Sequence, residues 1–303
     1  MGVPFYFKNL INNYPDIMSN KLNKKFHLFL DFNGIIHQCC ARTIGEKNTT
    51  EHEVIFSDIV EYLDTLILKY KPIKTYVCID GIAPIAKIKQ QRTRRFKSRY
   101  LNKQISEIKA KYDEPVTTWD SNCITPGTPF MKQLNKFLHQ KYDNCKDILI
   151  SDSDEVGEGE HKIMRYIRGM SHDQDNGNKE PVVIHGLDAD LLMLSLLVNR
   201  KHIYILRDEK EKQNFVDIDR LCEEIMKDIT IRFDTDEGLL NGFIDDYVCL
   251  CCLLGNDFLP KLACLDISQD GIEILLKIYS KVLNELRENL IGMGKLNVNF
   301  VKC

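Results

Sequence analysis

KTYVCIDGIAPIAKIKQQRTRRFKSRYLNK, residues 74–103, decides the fold. It opens on a short run, Thr75 to Ile79, with the β-branched and aromatic content of a buried strand. Asp80 and Gly81 end that run, and a basic helical stretch follows. Eight cations (Lys87, Lys89, Arg92, Arg94, Arg95, Lys97, Arg99 and Lys103) fall in it with no acid after Asp80, although the chain carries a net charge of −3. Two readings are open from the run alone: a solvated basic face, or a site for a concentrated anion. Lys87, Gln91, Arg94 and Arg95 stand at i, i+4, i+7 and i+8, so on a helix they share one face. Two guanidinium forks, an ammonium and an uncharged amide donor would converge there. That set suits phosphate.

The strand-then-aspartate grammar recurs along the chain. FHLFLD (26–31), DILISD (147–152) and PVVIHGLD (181–188) are strand-length apolar runs that also end in aspartate. Helical patterns lie between and after them: 54–70, 87–110, 129–142, 158–170 and 189–199, then 217–229, 243–254 and 270–290. Alternating strands and helices predict an α/β fold, a central, mainly parallel sheet flanked by helices. In such sheets ligands bind beyond the carboxyl ends of the strands, so the four aspartates would crowd one edge. SHDQDNGNKE (171–180) reads as a polar surface insertion. With no repeat and no clean linker, residues 1–303 are expected to form one domain with its last helix packed outside.

Further acids join that edge. VGEGEHK places Glu158 and Glu160 in a glycine-rich turn entering a helix, where both could point inward. GLDADLL puts Asp188 and Asp190 at a strand-to-helix turn, and GNDFLP puts Asp257 after an apolar helix stopped by Gly255 and Asn256. Each acid alone reads equally as a cap or turn former, which is the reading kept for Asp152, Asp154, Asp245 and Asp246. Taken together, Asp31, Asp80, Glu158, Glu160, Asp188, Asp190 and Asp257 form a candidate cluster. Two carboxylates ~5 Å apart repel by about 3 kcal/mol at an effective dielectric of about 20, so such a cluster needs cations. All-oxygen ligands favour Mg²⁺ or Mn²⁺, and two such ions would act on a phosphodiester.

Composition sets bounds. A hydrophobic fraction of 44% and a charged fraction of 28% are ordinary for a globular chain. No apolar stretch approaches the ~18 residues of a membrane span. The start, MGVPFYFKNLINNYP, lacks a signal-peptide core, and Tyr6 stands where a myristoylation motif wants Ser or Thr, so Gly2 is not expected to be acylated. The eleven cysteines are scattered. Cys249 and Cys252 form a CxxC inside an apolar run and read as core thiols, not zinc ligands. A reducing compartment is implied: cytoplasm, nucleus or a viral factory.

In order along residues 1 to about 270, MGVP, NNYP, LDFNGIIHQC (30–39), IDGIAPIAKIKQQRTRRF (79–96), DSNCITPGTPFM (120–131), SDSDEVGEGEHKIM (151–164), GLDADLLML (186–194) and IDDYVCLCCLLGNDFLP (244–260) resemble the motifs of the XRN family of 5′→3′ exoribonucleases. The resemblance implies a PIN-like core similar to flap endonucleases. It also implies a single XRN N-terminal-type nuclease domain over 1–303 with a C-terminal helix at 270–290. By it the seven acids match the family's metal-binding set, holding two Mg²⁺ or Mn²⁺ ions. Lys87, Gln91, Arg94 and Arg95 match its 5′-monophosphate pocket, Lys87 also counting among the catalytic residues. His37 matches a histidine that stacks on the terminal base. A core histidine at a strand-to-helix turn is the alternative for His37.

Ile85, Val156 and Lys261 depart from the residues usual in the family, and Trp119 is not placed as the aromatic partner that clamps the base; it reads as a core or loop residue. The implied partner is single-stranded RNA with a 5′ monophosphate, and no membrane. Two other functions stay open: a structure-specific 5′ DNA nuclease of flap type, or a weakly catalytic RNA 5′-end-binding protein that takes the missing clamp from a protein partner.

Overall fold

The computed structural model describes residues 3, 5–47, 49–114, 119–172, 180–198, 200–209, 212–292 and 294–302. Most of the polar insertion read at 171–180, and Gly2, lie outside them. The chain divides into two compact units, residues 25–166 and residues 1–24 with 167–303. Both are α/β, with strands flanked by helices; the strand pairings are parallel in the 25–166 unit and mixed in the other.

In the 25–166 unit, strand Thr75–Cys78 lies between His27–Asp31 and Ile148–Ser151, and both pairings are parallel. His27 to Leu30 and Thr75 to Cys78 are buried throughout, as expected of strands covered on both faces. Phe29 and Tyr76 stack across the two strands with ring centroids 4.2 Å apart. Helix His52–Tyr70 buries Ile55, Ile59, Leu63 and Leu66, a stripe of helical period. Helix Pro129–Tyr142 starts at a Thr128 cap, whose hydroxyl accepts the Met131 N–H. Trp119 packs edge-on against Phe130, 5.5 Å between centroids, in a loop position.

Helix Phe32–Lys47 was not anticipated. Its buried positions mix Cys39, Cys40 and Thr43 with aliphatics, and Gly34 and Gly45 interrupt them, so its periodicity is weak. Asp58 is buried beside it and is held by Lys47 Nζ at 2.6 Å and the Thr43 hydroxyl at 2.6 Å.

In the other unit, strand Val182–His185 runs parallel to Ile203–Glu209, which forms an antiparallel hairpin with Lys212–Asp217; Met18–Ser19 adds an antiparallel edge. The pairing also escaped the sequence reading, because the stretch RDEKEKQN (207–214) is charged and lacks strand composition. The helix expected at 270–290 is Gly271–Leu286, and it is not an outer appendage: it buries Ile272, Leu275, Leu276, Tyr279, Val282 and Leu283. A further short helix, Val298–Lys302, follows it. Asp246 is fully buried and accepts from Tyr279 Oη at 2.6 Å and from the backbone N–H groups of Leu290 and Ile291. Burial raises its pKa, and those donors act the other way. It is thus a structural acid.

All ten described cysteines are free, and burial raises the thiols of Cys249 and Cys252. Among the described residues no helix is long and apolar enough to cross a membrane.

Candidate active site

Strand pairing in the 25–166 unit fixes the first two acids. Asp31 is the last residue of its strand and lies opposite Cys78, and Asp80 follows two residues later. Both stand at the carboxyl edge of adjacent parallel strands. The Asn33 side-chain oxygen accepts the Asp80 N–H at 2.9 Å and fixes the chain where it leaves the sheet.

A glycine-rich turn closes over them. The Gly81 N–H donates to Gly157 O at 2.8 Å, and the Gly157 N–H donates to Ile82 O at 3.0 Å. A Cβ on Gly81 would stand 1.8 Å from Glu155 O, so only glycine fits. Gly157 has φ +110°, a backbone that glycine adopts freely. Gly159 opens helix Gly159–His172 and donates its N–H to Asp80 Oδ1 at 2.7 Å. A Cβ there would lie 2.9 Å from Asp31 Oδ1 and 3.4 Å from Asp80 Oδ1. The two carboxylates therefore share one small space at a helix N-terminus, which favours negative charge.

Glu158 and Glu160 flank Gly159, and both are buried. Lys87 Nζ is 3.0 Å from each oxygen of Glu158 and 3.5 Å from Glu160 Oε1. Lys87 is itself buried, the one buried side chain of the long helix Ile85–Lys111. These two acids are among its partners, and it does not line the cavity described below. His161 Nδ1 is 3.6 Å from Glu158 Oε2, and these two residues with Glu160 hold ligand atoms within 4.8 Å of one another.

The next turns of the long helix face an open cavity of about 360 Å³. Gln91, Arg94, Arg95 and Ser98 line one wall, His37 and Asn33 another, and Ser121, Asn122 and Thr125 a third; Asp80 and Gly81 also border it. Gln91 links the cavity to the acids: its Nε2 donates to Glu158 Oε1 at 3.3 Å, and its Oε1 accepts from Arg95 Nη2 at 3.4 Å. His37 is an exposed ring on the cavity wall, not a core residue. Although solvent reaches it, the concave surround and the Arg94 charge hold its pKa below the usual histidine value. Partial burial, then Arg94, lowers Arg95 in the same way.

Sequence reading missed several of these groups. Lys162 is wholly buried and donates to Ile79 O at 2.8 Å and Asp152 O at 2.6 Å, tying two strand ends together. Burial lowers its pKa, and the charge of Glu155 opposes that. Asn33, Ser121, Asn122 and Thr125 lie inside motifs already singled out, but nothing in their spacing pointed to a shared cavity.

The remaining acids belong to the other unit. Asp188 is the residue before helix Ala189–Leu196, and Asp190 lies in its first turn. The charge of Asp190 reaches the Cys252 thiol, which also interacts with the Asn256 side chain. Asn256 Oδ1 in turn accepts the Phe258 and Leu259 N–H groups at 2.9 and 2.8 Å, forming the turn that carries Asp257. Gly255, at φ +91°, permits that turn: a Cβ would stand 2.8 Å from Lys261 N.

Comparison with known proteins agrees with the motifs. Residues 1–209 match the family described as XRN 5′-3′ exonuclease N-terminus, and residues 239–303 match the Xrn1 helical domain. The chain is 32% identical over 382 residues to the 5′-3′ exoribonuclease 2 of Candida glabrata, covering 100% of this chain and 37% of that protein. It is 33% identical over 340 residues to the human 5′-3′ exoribonuclease 1, covering 98% of this chain and 20% of that one. The chain thus spans well under half the length of these relatives. Among solved structures, the catalytic core of Rad2 in complex with DNA substrate is similar at 15% identity and TM-score 0.48, over 95% of this chain and 69% of that one.

Proposed function

The chain belongs to the XRN 5′-3′ exonuclease family, and from that premise we propose that it is a metal-dependent 5′→3′ exoribonuclease acting on single-stranded RNA with a 5′ monophosphate. One observation carries the proposal: the cavity lined by Arg94, Arg95 and His37 opens beside Asp80, which shares its space with Asp31.

The donor set fits hard divalent ions. Asp31, Asp80, Glu158 and Glu160 offer carboxylate oxygens, and Gly159 leaves room beside the first two. The family resemblance gives the same role to Asp188, Asp190 and Asp257. Two Mg²⁺ or Mn²⁺ ions so held would supply Lewis acidity to the scissile phosphodiester.

Binding and orientation fall to the chain's own groups. Arg94 and Arg95 take the 5′ phosphate with their guanidinium forks. His37 offers a largely neutral ring on which the terminal base stacks. Gln91 holds Arg95 in place, and Lys87 balances the charge of Glu158 and Glu160. Water attacks the phosphorus of the first internucleotide linkage. The bond from phosphorus to the terminal nucleotide's 3′ oxygen breaks, that oxygen takes a proton, and a 5′ mononucleotide leaves. The shortened strand carries a new 5′ monophosphate, the feature the cavity reads, so the cycle repeats in one direction. A cap or triphosphate overfills the cavity and is rejected. A reducing compartment, the cytoplasm first, suits a chain with this many free thiols.

The test is to incubate the protein and Mg²⁺ with matched 5′-monophosphate and 5′-hydroxyl RNAs. The monophosphate strand should be degraded and the hydroxyl strand spared, with Arg95→Ala losing the preference and Asp80→Ala losing cleavage. Equal decay of both strands, or of neither, contradicts the proposal.

A further inference from the structure

Helix Ile85–Lys111 carries one seam at heptad spacing. Lys87, Gln91, Arg94 and Ser98 form its first half and serve the acids and the cavity. Leu101, Ile105, Ile108 and Tyr112 continue it on the same face, at i, i+4, i+7 and i+11. These four are exposed by 56%, 50%, 54% and 75%. A mostly aliphatic stripe ~16 Å long is thus open to solvent directly beyond the polar half of the seam.

The residues bordering the stripe say what fits it. Lys97, Gln104 and Lys111 flank one side, and Asn102 and Lys109 the other. No acid flanks it along Ile85–Lys111, where Glu107 lies on the far side, 3.9 Å from Lys103; Asp113 and Glu114 follow only past its C-terminal end. A second copy of this helix would set Lys97 against Lys111 when antiparallel, and lysine only against Asn102 or Gln104 when parallel, so neither direction supplies the opposite charge that favours self-pairing. Nucleic acid stacks on aromatic rings, but the stripe is mostly aliphatic, and Phe96 and Tyr100 lie on another face. An amphipathic helix with apolar residues at heptad spacing and flanking Asp or Glu matches both the seam and its borders.

We infer that Leu101, Ile105, Ile108 and Tyr112 form a docking surface for an acidic amphipathic helix of another protein. The surface is separate from the acids and the cavity, and it stands whether or not the proposed nuclease activity does.

The probe is a synthetic peptide of about three heptads with Leu at the seam positions and Glu at the flanking ones; the control has Lys in place of Glu. Binding to the full chain is followed by fluorescence anisotropy. The Glu peptide should bind and the Lys peptide should not. Ile105→Ser with Ile108→Ser should weaken the Glu peptide about tenfold or more. Lys109→Glu with Lys111→Glu should weaken the Glu peptide and admit the Lys peptide, a reversal that misfolding does not produce. RNA cleavage by both variants should be unchanged. Equal affinity for the two peptides, or no loss in the variants, overturns the inference. So does an Ile105-dependent dimer in sedimentation, or weaker binding of 5′-hydroxyl RNA by the isoleucine variant.

Discussion

Lys87 shows what a single buried charge does here. Its ammonium lies between Glu158 and Glu160, and all three side chains are nearly out of solvent. Removing one partner of such a set leaves uncompensated carboxylates. Lys87→Met should therefore destabilise the protein by about 3–5 kcal/mol. Millimolar Mg²⁺ should return part of the lost melting temperature, because a divalent ion can replace the missing charge; a melt without that rescue would show that the acids do not hold one. The spacing of Lys87, Gln91 and the arginines was legible from the sequence, since a helix has one period. The acid partners of Lys87 were not, because Glu158 lies 71 residues away and only tertiary packing brings it near. His37 makes a second case. Its concave site and Arg94 keep its pKa low. A lowered imidazole pKa means that stability is full above the unfolded value of about 6.5 and declines as pH falls through the window below it. Sulfate in the cavity should offset Arg94 and raise the His37 pKa. By linkage, sulfate should bind more tightly as pH falls. Proton NMR of the ring, with Arg94→Ala as the comparison, reads both effects.

At the scale of elements, the strand-to-turn junctions position the chemistry. Runs such as TYVCID end in aspartate, and their β-branched and aromatic content made both strand and acid readable. The same signal failed at strands Ile203–Glu209 and Lys212–Asp217, which carry charged residues, and at helix Phe32–Lys47, where glycine and threonine blur the stripe. The glycines were readable as turn formers, but their close approaches were not. Gly159 lies 2.7 Å from Asp80 through its N–H, and its missing Cβ leaves the space beside Asp31. Gly159→Ala should cost about 1–3 kcal/mol through overpacking. It should lower cleavage by about a hundredfold, because the acids shift by a fraction of an ångström to an ångström. Single-turnover rates beside a thermal melt separate the two effects. A variant with full activity would mean that the spacing of Asp31 and Asp80 is not critical.

On the whole-molecule scale, a mildly acidic chain carries a dense run of cations on one helix, with Asp31, Asp80, Glu158 and Glu160 gathered in the same unit. That arrangement suits a substrate that brings a terminal phosphate to the cations and a linkage to the acids. The α/β character was legible from alternation alone, and the family from motifs that run in order through most of the chain. The division into units of 25–166 and 1–24 with 167–303 was not, because no change of composition marks residues 24 or 166. Direction of attack is the central claim. The most direct measurement follows 5′-monophosphorylated RNA carrying one label at its 5′ nucleotide and another at its 3′ end, with Mg²⁺. The account predicts that the 5′ label appears at once as free mononucleotide while the 3′ label remains in strands that shorten one nucleotide at a time. Early release of the 3′ label, or internal fragments bearing the 5′ label, would contradict it.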